Sequence, residues 1–95
     1  MRCERRPLAR ALLQRQLVAC VSLQSTDALY HWEGEIHSDC EVQLLMKTTA
    51  DRLERLQQVV GELQSYDTLE WMYRPATASP AYTRWAIQVF SSDGR

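Results

Sequence analysis

Two runs of alternating side chains that meet at Glu33-Gly34-Glu35 constrain the fold more than any other feature of the sequence. Apolar residues recur at every second position within three runs: Ala19, Val21 and Leu23, then Ala28, Tyr30 and Trp32 before this point, and Val42, Leu44 and Met46 after it. A period of two is typical of β-strands. Gly34 can adopt a positive φ without steric cost, which favours a tight turn. The pattern predicts an antiparallel hairpin whose long first strand bends at Ser25-Thr26-Asp27.

Three helices are predicted from apolar residues at helical spacing. The first runs from Pro7 to Leu17, the second follows the capping residues Thr48 and Thr49, and the third follows the cap and first-turn pair Ser79-Pro80. Their apolar positions are Leu8, Leu12 and Leu13, then Leu53, Leu56, Val60 and Leu63, then Tyr82, Trp85 or Ala86, and Val89.

A third strand is predicted between the second and third helices. Leu69, Trp71 and Tyr73 alternate with Glu70, Met72 and Arg74. Pro75 ends the run because it cannot donate a hydrogen bond to a ladder. The predicted order is therefore helix, strand, strand, helix, strand, helix. We expect a single domain over residues 1–95 with a frayed tail at residues 91–95.

The composition argues against several classes of function. Eleven basic against twelve acidic side chains give no general attraction to nucleic acid or to a membrane surface. The three glycines lie too far apart for a phosphate-binding loop, and no run of 18 apolar residues is present to span a membrane. Three cysteines without a Cys-x-x-Cys pair indicate a reduced, cytoplasmic protein. A domain of this size is marginally stable alone, so association of subunits is expected.

Five short blocks, in a fixed order and spacing, resemble the CutA, or divalent-cation-tolerance, family. Each block alone is a weak signal, but together they cover residues 17–85. The blocks are Leu17-Val18-Ala19-Cys20-Val21, Leu29-Tyr30-His31-Trp32-Glu33-Gly34-Glu35-Ile36, Leu44-Leu45-Met46-Lys47-Thr48, Tyr66-Asp67-x-x-Glu70 and Ser79-Pro80-Ala81-Tyr82-x-x-Trp85.

The resemblance implies an α+β, ferredoxin-like sandwich with helices on one face of an antiparallel sheet. It also implies a homotrimer in which the long hairpin reaches onto neighbouring subunits, and a non-enzymatic role linked to divalent metals, copper above all. The aromatic residues expected at the trimer interface are Tyr30, Trp32, Trp71 and Trp85.

The chain departs from the family pattern in the acidic block. The family has His-Pro where this chain has Gln64-Ser65, and a proline where it has Leu69. A histidine-based metal site at that place is therefore not carried over to this chain.

A second departure concerns the sheet. The family places a strand before the first helix, and in the ferredoxin-like order it is central, between residues 40–47 and 68–74. An empty central position would leave buried backbone groups unpaired, at a cost on the order of 1–3 kcal/mol each. We expect that the sequence is truncated at its N-terminus, that the sheet closes over the gap, or that another chain fills it.

The resemblance places Lys47, the only lysine, at a subunit cleft with Trp32 and the acidic block. Tyr66, Asp67 and Glu70 offer a phenol and two carboxylates, oxygen groups that suit a cation or a small polar ligand. The alternative is that the same residues form a network of ion pairs between subunits.

Weaker metal candidates lie in the hairpin: His31, His37 and Cys20. If the loop centres on Gly34, the two imidazoles face each other and can share a soft divalent ion, with Asp39 or Cys40 as further ligands. If the turn is Glu33-Gly34 alone, His31 faces Ile36 and this site disappears. Cys20 is most simply a small buried apolar residue.

Three functions remain open from the sequence. The first is a trimeric protein of divalent metal tolerance that binds copper or a small ligand at subunit clefts. The second is a trimeric scaffold without stoichiometric metal binding. The third is an enzyme that uses the acidic block as a general base.

Overall fold

The computed structural model describes residues 5–64 and 70–91. They form three helices, one short 3₁₀ turn and two strands. In chain order these are α1 (Arg6–Gln14), β1 (Cys20–Trp32), β2 (Glu35–Lys47), the 3₁₀ turn (Ala50–Arg52), α2 (Leu53–Leu63) and α3 (Pro80–Ser91).

The hairpin is one continuous antiparallel ladder from the Cys20–Lys47 pair to the Trp32–Glu35 pair. A two-residue turn joins the strands, with φ of 53° at Glu33 and 80° at Gly34. Two successive positive φ angles match the twist of the flanking strands. Every residue at positions 25–27 keeps its partner on β2, so β1 is not interrupted there, and the predicted bend stays a prediction.

The apolar residues of β1 change from one face of the hairpin to the other along the strand. Val21 and Leu23 lie on the odd-numbered face of β1, whereas Ala28, Tyr30 and Trp32 lie on the even-numbered face. Because a strand alternates its side chains, the shift in phase moves apolar residues to the opposite side of the hairpin.

The core lies between α1, α2 and the base of the hairpin. Its six buried members are Leu12, Leu17, Val18, Leu56, Val59 and Val60. Val21 and Met46, which face each other across the ladder, pack against this cluster from the odd-numbered face. The two helices therefore cover one face of the antiparallel sheet at one end of the hairpin, as an α+β fold requires.

The connection from α1 to β1 ends the helix earlier than predicted. Gln16 has φ of 58°, and the backbone N–H groups of Gln16 and Leu17 donate to the carbonyls of Leu13 and Leu12. This bonding pattern is a Schellman motif, which turns the chain sharply after the last helical residue. It directs Leu17 and Val18 into the core immediately before β1.

Side-chain hydrogen bonds hold the two connections at the base of the hairpin together. The Thr48 hydroxyl donates to the Leu17 carbonyl at 2.7 Å, and Arg52 Nε donates to the Gln16 carbonyl at 2.9 Å. Neither Thr48 nor Thr49 caps the following turn through its side chain, contrary to the prediction. The Arg52 guanidinium also lies over the Phe90 ring at 3.8 Å, a cation–π contact that fixes α3 against this base.

The cap of α3 is confirmed, because the Tyr82 backbone N–H donates to Ser79 Oγ at 3.2 Å. Ser91, predicted in the frayed tail, is the last residue of α3, and its hydroxyl donates to the Ile87 carbonyl at 3.1 Å. The rest of that tail lies outside the described residues. No helix in residues 5–64 and 70–91 has the length and apolar character needed to cross a bilayer.

The predicted third strand is not formed in the described part of its range. Residues 70–79 carry neither helix nor strand, and the sheet of the described chain has two strands, β1 and β2. An alternating sequence becomes a strand only when a neighbouring backbone pairs with it. No such ladder joins residues 70–79 to the rest of the described structure.

The far half of the hairpin projects away from the core. The molecule measures 48 × 26 × 24 Å, and its radius of gyration is 15.3 Å, whereas about 12 Å is expected for a compact chain of this length. We call residues 28–39 the hairpin arm. In the described part of the chain, none of the buried core residues lies in the arm.

Candidate functional site

A cluster of polar side chains lies at the base of the hairpin, on its even-numbered face. Lys47 faces Cys20 directly across the ladder and Ser22 diagonally. Its ammonium donates to Ser22 Oγ at 2.9 Å and approaches Cys20 Sγ at 3.8 Å. Lys47 and Cys20 are half-buried, so the ammonium is only partly solvated.

Tyr82, in the first turn of α3, completes this cluster. Partial desolvation raises the pKa of Tyr82, and the negative charge of the neighbouring Cys20 side chain in its thiolate form and its hydrogen bond raise that pKa further. The Tyr82 ring also packs on Trp85 one turn later, at 5.4 Å between ring centroids. We call Cys20, Ser22, Lys47 and Tyr82 the Lys47 cluster.

The Lys47 cluster has one positive charge and no negative partner within the described residues. The ammonium contacts only a neutral hydroxyl and a sulfur, and no described carboxylate forms an ion pair with it. A half-buried cation without a counter-ion attracts an anionic group more strongly than the same cation in water. The cluster alone therefore suits a carboxylate or phosphate group better than a bare metal ion.

Of the predicted acidic block, the structure describes only Glu70, which is exposed. Tyr66 and Asp67 lie outside the described residues. The predicted meeting of this block with Lys47 therefore stays a prediction.

Trp32 lies at the opposite end of the hairpin from Lys47. Twelve residues of β1 separate Trp32 from Cys20, the ladder partner of Lys47, which corresponds to about 40 Å at 3.3 Å per residue. Both side chains are on the even-numbered face, and Trp32 is 46% exposed. Trp32 and Lys47 of one subunit therefore cannot line the same cleft, and only two different subunits can bring them together.

The histidine pair does not form within a subunit. The turn is Glu33-Gly34, so His31 faces Ile36, whereas His37 faces Tyr30 on the other side of the hairpin. This is the alternative register, in which the shared imidazole site disappears. His37 stacks on the Tyr30 ring at 5.8 Å between centroids, and no group of three metal-ligating side chains occurs in the described part of the chain.

The remaining metal candidates have other partners. The Tyr30 hydroxyl donates to the Asp39 carboxylate, and this hydrogen bond raises the pKa of Tyr30. Cys40 is disulfide-bonded, contrary to the reduced state that the cysteine pattern predicts, and therefore offers no thiolate. Cys20 is half-buried in the Lys47 cluster, so the prediction of a buried apolar residue is only partly met.

The hairpin arm exposes large apolar side chains on both faces. Leu29 and Ile36 share the odd-numbered face and are 72% and 70% exposed. Tyr30 and Trp32 on the even-numbered face are exposed to a smaller degree. Sequence reasoning missed Leu29 and Ile36, because the alternation was assigned to Tyr30 and Trp32 alone.

The two remaining aromatic candidates differ in their environment. Trp85 on α3 is exposed, whereas Trp71 is half-buried and packs against the core cluster. Trp85 is therefore available for a contact between subunits, and Trp71 belongs mainly to the subunit's own core.

The fold and the site together define a class of protein. It is an α+β protein in which a long hairpin projects from a small core and carries a half-buried lysine at its base. Solved structures of CutA proteins share this architecture, which is ferredoxin-like.

Comparison with known proteins gives the family. Residues 2–89 match the profile of the CutA1 divalent ion tolerance proteins. The chain belongs to this family, as the resemblance of its sequence blocks predicts.

Individual relatives agree with the family match. The chain is 32% identical over 87 residues to Protein CutA of Mus musculus, covering 90% of this chain and 49% of that protein. It is 30% identical to the CutA homolog of Xenopus laevis, covering 86% of this chain and 56% of that protein. The chain thus spans about half the length of these relatives.

Solved structures of three microbial relatives superpose well on the chain. CutA1 from Pyrococcus horikoshii gives a TM-score of 0.83 at 30% identity, covering 90% of this chain and 85% of that one. CutA from Synechococcus elongatus gives a TM-score of 0.84 at 34% identity, covering 90% and 77%. A structure from Nostoc, described as a PII-like protein CutA, gives a TM-score of 0.79 at 33% identity, covering 83% and 79%.

Proposed function

We propose that the chain is one subunit of a homotrimer that takes part in the tolerance of divalent metal ions, copper among them, without catalysing a reaction. In this proposal the hairpin arm of each subunit packs on its neighbour, and the clefts between subunits hold a small ligand or a divalent cation. The observation that carries the proposal is the uncovered apolar surface of the arm.

The arm supports the proposal because its exposed side chains are too apolar for a freely solvated strand pair. Leu29 and Ile36 are diagonal neighbours on one face, and each leaves at least 70% of its surface in water. Burial of such a side chain contributes roughly 1.5–3 kcal/mol. Three copies of the arm, each covered by a neighbour, would supply a large part of the free energy of assembly.

The distance between Trp32 and Lys47 supports a cleft between subunits. These residues lie at opposite ends of the same hairpin face, about 40 Å apart at 3.3 Å per residue. An arm that packs on a neighbour can carry its Trp32 to the neighbour's Lys47 cluster. Each cleft would then have an aromatic surface from one subunit and an ammonium from the other.

The charged side chains of this cleft indicate the chemical class of its ligand. The Lys47 ammonium attracts an anionic group, whereas a divalent cation needs the carboxylates of Asp67 and Glu70. A small molecule with both a carboxylate and a metal-binding group would contact the Lys47 ammonium and also bind the divalent cation. The names of several relatives refer to divalent-cation tolerance, which supports a metal-related role.

The oligomer is tested by light scattering coupled to gel filtration. We expect a mass of three chains of 11.0 kDa for the wild type and a smaller species for Leu29→Asp. Gln24→Asp is the matched control, because it adds the same charge at an exposed position nearer the base of β1, outside the arm, and is expected to stay trimeric. A wild-type monomer at micromolar concentration would overturn the proposal.

Metal binding is tested by calorimetric titration with Cu²⁺. We expect stoichiometric binding that weakens in Glu70→Gln and is unchanged in His31→Ala, because His31 faces Ile36. A trimer that gives no binding heat would favour the alternative function, a scaffold whose assembly is itself the role. Weaker binding in His31→Ala with unchanged binding in Glu70→Gln would move the metal site to the arm.

A further inference from the structure

The side chains of Cys20 and Lys47 form a close pair of sulfur and nitrogen at the base of the hairpin. The two residues face each other directly across the ladder, so their side chains leave the sheet on the same face. Lys47 Nζ lies 3.8 Å from Cys20 Sγ and donates to Ser22 Oγ at 2.9 Å. The backbone pairing and the bond to Ser22 therefore hold the nitrogen beside the sulfur.

Both members of this pair can react. Lys47 is the only lysine of the chain, and Cys20 is a free cysteine. Both side chains are half-buried, which leaves access to the sulfur for a molecule as small as hydrogen peroxide. A thiolate is the form of cysteine that peroxides oxidise, and a deprotonated lysine amine is a nucleophile. An oxidised Cys20 would therefore have a nucleophile already in place.

The reaction of this pair with a peroxide is balanced in two steps. The Cys20 thiolate attacks one oxygen of hydrogen peroxide, the O–O bond breaks, and the departing hydroxide takes a proton from the Lys47 ammonium. Sulfur loses two electrons and the peroxide gains them, which leaves a sulfenic acid, a neutral amine and water. The amine then attacks the sulfenic sulfur, an S–N bond forms, the S–O bond breaks, and the hydroxyl leaves as a second water with a proton from nitrogen.

We propose that Cys20 and Lys47 form a peroxide-sensitive modification site, at which a hydroperoxide links the two side chains through a sulfenamide bond within one subunit. The link ties the start of β1 to the end of β2. Two thiol molecules reverse it, because they release the amine and the Cys20 thiol and form a disulfide with each other. A sulfenamide nitrogen carries no positive charge, so the link would also weaken the attraction of the Lys47 cluster for an anion. Only this last consequence rests on the proposed function.

The link is tested by treating the wild-type chain with hydrogen peroxide, alkylating it with iodoacetamide and digesting it with a protease that cuts after glutamate. Cuts at Glu33, Glu35 and Glu41 separate position 20 from position 47 in the untreated chain. We expect peroxide to give a joined pair of peptides that contains both positions. The mass of the pair is expected to be lower than the sum of its two unmodified peptides by two hydrogen atoms, and dithiothreitol is expected to separate them.

Lys47→Arg is the matched control, because arginine keeps the positive charge but stays protonated and is not a nucleophile. Dimedone labels sulfenic acids. We expect at least about tenfold more labelling of Cys20 in the variant than in the wild type, where the adjacent amine reacts first. Equal labelling of the two proteins would overturn the proposal, because the sulfenic acid would then persist beside the amine. Alkylation of Cys20 that peroxide leaves unchanged in both proteins would also overturn it, because the thiol would not be oxidised.

Discussion

The turn of the hairpin is the most informative place for a single substitution, because it fixes the register that separates His31 from His37. Gly34 has φ of 80°, and a Cβ at this position would have no heavy atom within 4 Å. The cost of Gly34→Ala is therefore conformational and not steric. A left-handed backbone costs an alanine roughly 1–2 kcal/mol, so we expect that loss in the free energy of unfolding.

Glu33 supplies the matched control. It also has a positive φ, of 53°, and asparagine tolerates this conformation better than glutamate. Glu33→Asn is therefore expected to raise the free energy of unfolding by a few tenths of a kcal/mol up to about 1 kcal/mol.

Both turn variants are measured by urea denaturation at one protein concentration, because assembly would also contribute to stability. In a thermal melt, the Gly34→Ala loss corresponds to a decrease in Tm of roughly 4–8 °C per kcal/mol. A neutral Gly34→Ala together with a destabilising Glu33→Asn would refute the two-residue turn. The loop would then be centred on Gly34, with the two imidazoles facing each other.

Three further predictions follow from the core, the cap and the arm. Leu56 is 1% exposed, so Leu56→Ala is expected to lower the free energy of unfolding by about 2–5 kcal/mol. Leu45 is 65% exposed, so Leu45→Ala is expected to lower it much less. Equal losses in the two variants would contradict the position of the core. Ser79→Ala removes the cap of α3 and is expected to cost about 0.5–2 kcal/mol, with no loss if another group caps the helix. The hydrogen bond to Asp39 raises the pKa of Tyr30, so its stabilising effect is present below the ordinary tyrosine pKa of 10.0 and is lost as pH rises through the raised value. Asp39→Asn is expected to lower the pKa of Tyr30, which is measured from the ultraviolet absorbance of the phenolate. An unchanged pKa would rule out the contact with Asp39.

Much of the fold follows from local pattern. The hairpin and all three helices are predicted from periodicity, because each element buries or exposes its apolar residues with a fixed repeat. The Ser79 cap is also readable, since the hydroxyl and the following proline act on adjacent backbone groups. The early end of α1 at Gln14 is not readable, because the left-handed residue Gln16 is not the glycine that usually marks such an end.

Features that depend on distant partners are not predicted correctly. The change of apolar phase along β1 suggests an interruption at residues 25–27, and only the ladder with β2 shows that the pairing is continuous. The alternation around Trp71 predicts a strand, but a strand needs a neighbour, and none of the described residues pairs with this segment. Thr48 is predicted to cap a helix and instead bonds to Leu17, which is 31 residues away in sequence.

The site was predictable in part. The single lysine marks the base of the hairpin, and its ladder position beside Cys20 follows once the turn is known. The role of Arg52 had no signal in the sequence, because its contacts with Gln16 and Phe90 join segments that are far apart in the chain. The separation of Trp32 from Lys47 follows from the length of the strands. The sequence blocks name both residues but do not show the distance between them.

That separation gives the most direct test of the central claim, the cleft between subunits. Trp32→Cys is treated with a short cross-linker that joins a thiol to an amine, and the product is digested and mapped by mass spectrometry. Lys47 is the only lysine of the chain, so every link to a lysine lies at Lys47, and the peptide map separates a link from position 32 from one formed by the neighbouring Cys20. A short linker cannot span about 40 Å within one subunit, so the account predicts that this link occurs only between chains and gives dimeric and trimeric bands on a denaturing gel. A link between these positions in monomeric bands, or its absence from every oligomeric band, would contradict the account.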